Sequence, residues 1–236
     1  MSLPKIQYPV FNIEIPSLKK KKQFRPFLVR EEKLLLMAKL SENEEDTLSA
    51  IKQVVNNCSV EKDFNINDYS IFDLEYMFIK IRSASVDNIV KVSYRDFDDE
   101  KVYDFDIDLN DIIVKFPKDL DNKIKISDNA GLIMKYPDAS LYDDKSFLKA
   151  GEDAFFQLIL KCIDKIYDGE EMYECSNYST KEVEDFVNEL DVKTFEKIQE
   201  YMSNQPKLYY KISYKNSTGK EKTIELDTLS DFFTLR

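Results

Sequence analysis

Residues 103–109 read Tyr-Asp-Phe-Asp-Ile-Asp-Leu, a strict alternation of apolar and acidic side chains. Such a period of two puts Tyr103, Phe105, Ile107 and Leu109 on one face of a strand and Asp104, Asp106 and Asp108 on the other. Upstream, Val90, Val92 and Tyr94 alternate with Lys91, Ser93 and Arg95, and the polar link Asp96-Phe97-Asp98-Asp99-Glu100 joins the two runs, so the pair reads as a β-hairpin. Just before it the period changes. Over Ile71 to Arg82, opened by Ser70-x-x-Asp73, the residues Ile71, Leu74, Phe78 and Ile81 recur at helical spacing. Tyr76, Met77 and Ile79 make the remaining sides of this helix apolar too, and such a helix is buried between layers or covered by a partner. Helix and hairpin side by side set the class as α+β.

The same reading extends outward. Towards the N-terminus, Val10, Phe11, Ile13 and Ile15 sit between Pro9 and Pro16 as a short edge strand, with a basic turn at Lys19 to Lys22. A helix is predicted from about Arg30 to Lys39, acidic at its start and basic near its end. Ser41-x-x-Glu44 fits the cap of a second, with Leu48, Ile51, Val55 and Cys58 on its buried stripe. Beyond the hairpin, 112–116 and 132–136 read as strands and 117–129 as a charged loop. Phe147, Ala154, Phe155, Leu158, Cys162 and Ile166 fit one face of a long helix that stops at Asp168-Gly169. Ser179-x-x-Glu182 caps another, Phe195, Ile198 and Met202 mark the next, and a hairpin over Lys207 to Leu226 precedes a helical tail, Leu229 to Phe233. The expected organisation is an N-terminal strand and helical unit (1–86), a central antiparallel β-sheet unit (87–140), and C-terminal helices with a terminal hairpin (141–236), packed as one or two compact domains.

Composition removes most chemistry. The 236 residues contain no histidine, so Ser-His-Asp and Cys-His machinery and imidazole-bound metals are excluded. With glycine only at 131, 151, 169 and 219, neither a P-loop nor GxGxxG can be written. The net charge of −11 argues against nucleic acid and anionic membrane as partners. Three cysteines without a CxxC pair (Cys58, Cys162, Cys175) fit a reducing compartment, and there is neither a signal-peptide pattern nor a run of about 20 apolar residues that would span a membrane. Asp104-x-Asp106-x-Asp108 resembles the opening of a calcium loop, but Leu109 stands where glycine is needed and Lys115 where a bidentate Glu belongs. No metal or cofactor is expected. Those three aspartates form either a solvated face or an acidic docking face for a basic partner.

One stretch carries a resemblance. Phe24-Arg25-Pro26-Phe27-Leu28-Val29-Arg30-Glu31-Glu32-Lys33-Leu34-Leu35-Leu36-Met37-Ala38 resembles the N-terminal signature of the baseplate hub family of T4-like contractile-tailed bacteriophages. The likeness continues through 71–82, 166–170, 206–208 and 229–233, in order from about residue 24 to 233. It implies a non-enzymatic tail assembly protein, either a hub subunit or a hub assembly factor. One alternative is a chaperone that holds the tape-measure or another hub protein and is absent from the virion. Its partners would be other baseplate hub or tape-measure proteins, with self-association left open. Its place would be the cytoplasm of the infected bacterium or the virion's tail baseplate. An alternative of another class is an acidic adaptor or host-takeover protein. The expected contact residues are Arg25, Phe27 and Arg30 where the first helix begins, plus Tyr76, Met77 and Ile79.

Overall fold

Pro9 and Pro16 bracket the first strand as the sequence requires. In the computed structural model, which describes residues 6–144 and 151–232 apart from the side chains of Glu44 and Glu152, β1 is Phe11–Ile15 and β2 is Lys20–Phe24. They pair antiparallel, Phe11 opposite Phe24 and Ile15 opposite Lys20. The basic run expected as a turn is therefore mostly strand. Only Lys19 turns, in the left-handed region at φ 55, and Lys22 reaches Glu61 at 2.6 Å.

Three helices follow: α1 (Val29–Ser41), α2 (Glu44–Cys58) and α3 (Ile71–Ser85). The cap of α2 is Asn43, whose side chain accepts the Glu45 N–H, and not Ser41, whose hydroxyl donates back to the Ala38 carbonyl inside α1. Asn is among the strongest cap residues, and Ser41 is already engaged. The start of α3 is as expected: Ser70 accepts the Asp73 N–H.

β3 (Ile89–Arg95) and β4 (Val102–Asp108) form the predicted hairpin, with Val92 opposite Phe105 and Lys91 opposite Asp106. β5 (Ile113–Lys115) follows. The central strands do not make one sheet. β5 pairs with a strand from near the C-terminus, while β6 (Lys123–Lys125), inside the stretch expected as loop, and β7 (Ala130–Met134) belong to a different sheet. The long helix to Asp168 also needs correction. α4 (Ala154–Cys162) ends at Cys162, and Ile163–Asp168 is β8, one of the two inner strands of the order β6-β7-β8-β9, with β9 at Glu171–Glu174. The i, i+4 spacing of Cys162 and Ile166 suits a helix, but Ile166 is paired with Leu132 on one side and Tyr173 on the other. Pairing on both edges overrides a local period. Phe147, assigned to that helix, and Phe233, assigned to the tail, lie outside the described residues. Gly131 of β7 is sterically required, because a Cβ there would sit 2.4 Å from the Ile124 carbonyl oxygen.

α5 (Thr180–Asn188) carries the full predicted capping box: Ser179 accepts the Glu182 N–H while the Glu182 carboxylate accepts the Ser179 N–H at 2.8 Å. α6 (Val192–Ser203), β10 (Lys207–Lys215), β11 (Glu221–Leu226) and α7 (Leu229–Phe232) complete the chain.

The chain divides into two compact units, Met1–Lys115 with Lys207–Arg236, and Phe116–Pro206. The β10 strand explains why the boundaries cut across the three expected segments. Lys207, Leu208 and Tyr209 pair with Lys115, Val114 and Ile113, so the chain leaves the first unit on one strand and re-enters on its neighbour. The first unit is built around α3, with Ile79, Val92, Ile107, Leu109, Ile112, Leu208 and Phe232 in one buried cluster. The second buries Leu132, Ile159, Ile198 and their neighbours.

Candidate protein-contact site

The segment between β2 and α1 gathers the first three expected contact residues, and each has a different fate. Arg25 is buried. Its guanidinium donates to both carboxylate oxygens of Glu31 at 3.0 and 3.2 Å, to the Asn57 carbonyl at 2.6 Å and to the Pro26 carbonyl at 2.9 Å. Glu31, fully buried, also accepts from Arg30 Nε at 2.7 Å and from the Leu28 N–H at 2.9 Å. Burial alone would push the Glu31 carboxyl up. The hydrogen bonds from both arginines and from the Leu28 N–H overcome that and hold it down at about 2. This network ties the start of α1 to the end of α2, so Arg25 is internal mortar and corrects its expected role as a surface contact. Phe27 is half-buried, its ring 5.9 Å from that of Phe78 and its N–H bonded to Ser85 Oγ. Arg30 keeps two thirds of its side chain in solvent.

On α3 the outcome is sharper. Met77 and Ile79 are 0% exposed, inside the core of the first unit, so they cannot touch a partner while the chain is folded. Tyr76 is half-buried beneath the Lys80 ammonium, 5.0 Å from its ring centroid. Lys80 in turn donates to the carbonyls of Leu109, Asn110 and Ile112, joining α3 to the end of the hairpin, and burial lowers its pKa to about 8. Asp73 is equally internal: it accepts from Ser17 and Ser70 hydroxyls, both at 2.5 Å, and fastens the β1–β2 turn to the start of α3.

The acidic residues separate into two groups. Those of the β3–β4 link are engaged internally. Asp96 accepts from Tyr214 and Asn216, Asp98 pairs with Lys222 at 2.6 Å, and Asp99 accepts from Tyr103 and from the N–H and hydroxyl of Ser217. They pin the β3–β4 turn to the β10–β11 turn, and these bonds hold the Asp99 carboxyl well below its ordinary range. Asp104 and Asp106 face solvent as expected. Asp104 takes the Ser93 hydroxyl at 2.6 Å, Asp106 lies opposite Lys91, and Asp108 caps the turn at 109–111 through the Asn110 N–H. This face therefore mixes its acids with lysine.

The three cysteines are free and buried. Burial pushes the thiols of Cys58 and Cys162 up to about 12 and that of Cys175 up to about 11, the reverse of what a nucleophile or metal ligand needs. No three Cys, Asp or Glu side chains converge as a metal site among the described residues.

The surface that sequence reasoning missed is on α1. Val29, Leu36, Met37 and Leu40 are 73%, 55%, 70% and 73% exposed, whereas Glu31 and Ala38 are buried and Leu34 and Leu35 half-buried. At 3.6 residues per turn, positions 29, 33, 36, 37 and 40 fall within an arc of about 100°, and 31, 34, 35 and 38 fall opposite. The inward stripe seats α1; the outward stripe is apolar with Lys33 in its middle. Contiguous apolar exposure on a folded domain makes this stripe the candidate contact surface. Its signal was present in the sequence: Leu34-Leu35-Leu36-Met37 is a run of four apolar residues, and one face of a helix cannot take them all.

The fold is that of an α+β protein, and α1 carries an exposed apolar stripe. A family model described as T4 bacteriophage base plate protein matches residues 8–234, and the chain belongs to that family. No curated protein and no solved structure matches it. Membership gives a structural or assembly role in the phage tail, with other tail proteins as partners. Among the described residues no helix is long and apolar enough to cross a membrane.

Proposed function

We propose that this chain is a baseplate hub subunit or hub assembly factor, non-enzymatic, that works through protein contacts made by the outward stripe of α1. The observation that carries the reading is the stripe itself, Val29, Leu36, Met37 and Leu40, held outward by a buried ion-pair network on the opposite face of the same helix. The family's role in the tail supplies the context. Arg30 and Phe27 border the surface; Arg25 and Glu31 fix its angle.

The test uses cells infected with phage lacking its own copy of this gene and supplied with a tagged one. The wild-type chain co-purifies with hub assembly intermediates. Leu36→Asp with Leu40→Asp, folded by circular dichroism, does not. Retention of the double variant in those intermediates overturns the reading. Mass spectrometry of finished particles then separates a subunit, which persists, from a chaperone of the tape-measure or another hub protein, which has left. The adaptor reading draws support from the exposure of Asp104 and Asp106. Reversing both to lysine leaves hub assembly intact on the reading preferred here and abolishes partner capture on the adaptor reading.

A further inference from the structure

Resting on the contact-face reading above, we infer that the outward stripe of α1 is self-complementary, and that its occupant is α1 of a second copy of this chain, packed antiparallel. The flanks of the stripe carry the argument. Glu32 and Lys39 lie one heptad apart along one edge of the stripe, both exposed, and neither has an ion-pair partner among the described residues. On the opposite edge stand Arg30 and Met37.

When two such helices meet antiparallel about a two-fold axis, Val29 packs against Leu40 of the second copy and Lys33 against Leu36. That register sets Glu32 beside Lys39 of the second copy, and the two-fold repeats the pair, so two opposite-charge contacts form at once. On the other edge Arg30 meets Met37, which brings no like charges together. A parallel pair places Glu32 across from Met37 and leaves both charges unmatched. Lys33, inside the stripe, lays its aliphatic stem on Leu36 and carries its ammonium to water. A contact made by one helix of 13 residues is small, so the dimer belongs to the weak, concentration-dependent class.

The experiment is sedimentation equilibrium on the full chain at low ionic strength, from about 1 to 100 µM, a span that brackets an interface of this size. The wild type is expected to pass from monomer to dimer within it. Glu32→Lys alone turns both contacts into Lys–Lys, and Lys39→Glu alone turns both into Glu–Glu, each weakening the dimer by about tenfold or more. An equimolar mixture of the two single variants restores opposite charges at both contacts and recovers wild-type affinity; so does Glu32→Lys with Lys39→Glu in one chain. Leu40→Asp stays monomeric at every concentration while its circular dichroism matches the wild type.

A wild type that is monomeric throughout, or single variants whose mixture does no better than either alone, overturns the inference. Its failure is distinguishable from that of the proposed function. A monomeric wild type whose Leu36→Asp, Leu40→Asp variant still drops out of hub intermediates makes the occupant another tail protein and leaves the contact face standing. A dimeric wild type whose stripe variants still enter those intermediates supports the second-copy contact and removes the docking role.

Discussion

α3 hides its apolar side chains on every side of its axis, whereas α1 hides one stripe and shows the other to solvent. The two helices lie in the same unit, and both are rich in leucine, isoleucine or methionine. α3 runs between the β1–β2 hairpin and the β3–β4 and β5–β10–β11 strands, and Phe72, Leu74, Met77, Phe78, Ile79 and Ile81 are all buried. α1 packs on α2 with Leu34, Leu35 and Ala38 on its inward side, fastened by the Arg25–Glu31 network, and its outward stripe is exposed. Apolar content therefore fixes how much surface a helix must cover, and layer position fixes whether the chain itself covers it. On α3 that burial is the fold. On α1 the uncovered remainder is available to a partner.

Breaking α3 has the largest expected effect. Met77→Asp or Ile79→Asp places an unpaired charge where no water reaches, at a cost comparable to the roughly 5–15 kcal/mol that holds a domain together. No folded protein is expected, and a wild-type circular dichroism spectrum from either variant would return these residues to the surface.

Next comes the inner face of α1. Glu31→Gln removes the negative charge shared by Arg25 and Arg30, replaces one accepting oxygen by an NH2 donor and leaves Arg25 buried without its charge partner, for a loss of about 3–5 kcal/mol in urea unfolding at pH 7. The pH dependence follows from the depressed carboxyl. Glu31 sits at about 2 folded against 4.5 ordinarily, so its contribution is complete above about pH 4.5 and disappears as pH falls towards 2. Over that window the wild type loses more stability than Glu31→Gln.

Glu75 sharpens the comparison from the α3 side. Burial, aided by the nearby charge of Asp227, raises its carboxyl to about 7. A raised carboxyl costs nothing below about pH 4.5, where folded and unfolded chains are both protonated, and costs progressively more up to pH 7. Glu75→Gln is thus expected to stabilise the protein at pH 8 by on the order of 2 kcal/mol and to change little at pH 4, read from urea midpoints at the two pH values.

The smallest effect on stability belongs to the outer face of α1. Leu36→Asp with Leu40→Asp should cost about 1 to 1.5 kcal/mol, the helix propensity of two aspartates, since both side chains are more than half exposed. A large loss there would show that the chain needs that stripe to fold.

Most of the fold was readable wherever one period ran unchallenged. The alternation at 103–109, the helix at 71–85, the Ser179–Glu182 capping box and the terminal hairpin are all local patterns that the packing reinforces. Misreadings fall where a distant strand decides. Ile163–Asp168 is drawn out of a helix by pairing on both edges, and β5 belongs with β10, some 90 residues on, rather than with the strands beside it in sequence. Of the candidate site, the start of α1 was legible in its sequence, but Arg25 turns inward because Glu31, the third residue of α1, is placed to receive it. Met77 and Ile79 read from sequence as either core or partner contacts, because a helix apolar all round has both explanations and residue spacing does not separate them.

The account rests on α1 doing its work from outside the fold. Phage lacking this gene should regain full infectious yield when the wild-type chain is supplied in trans, and should remain at the empty-vector level when the supplied chain is the folded Leu36→Asp, Leu40→Asp variant. Equal yields from the two chains would contradict it.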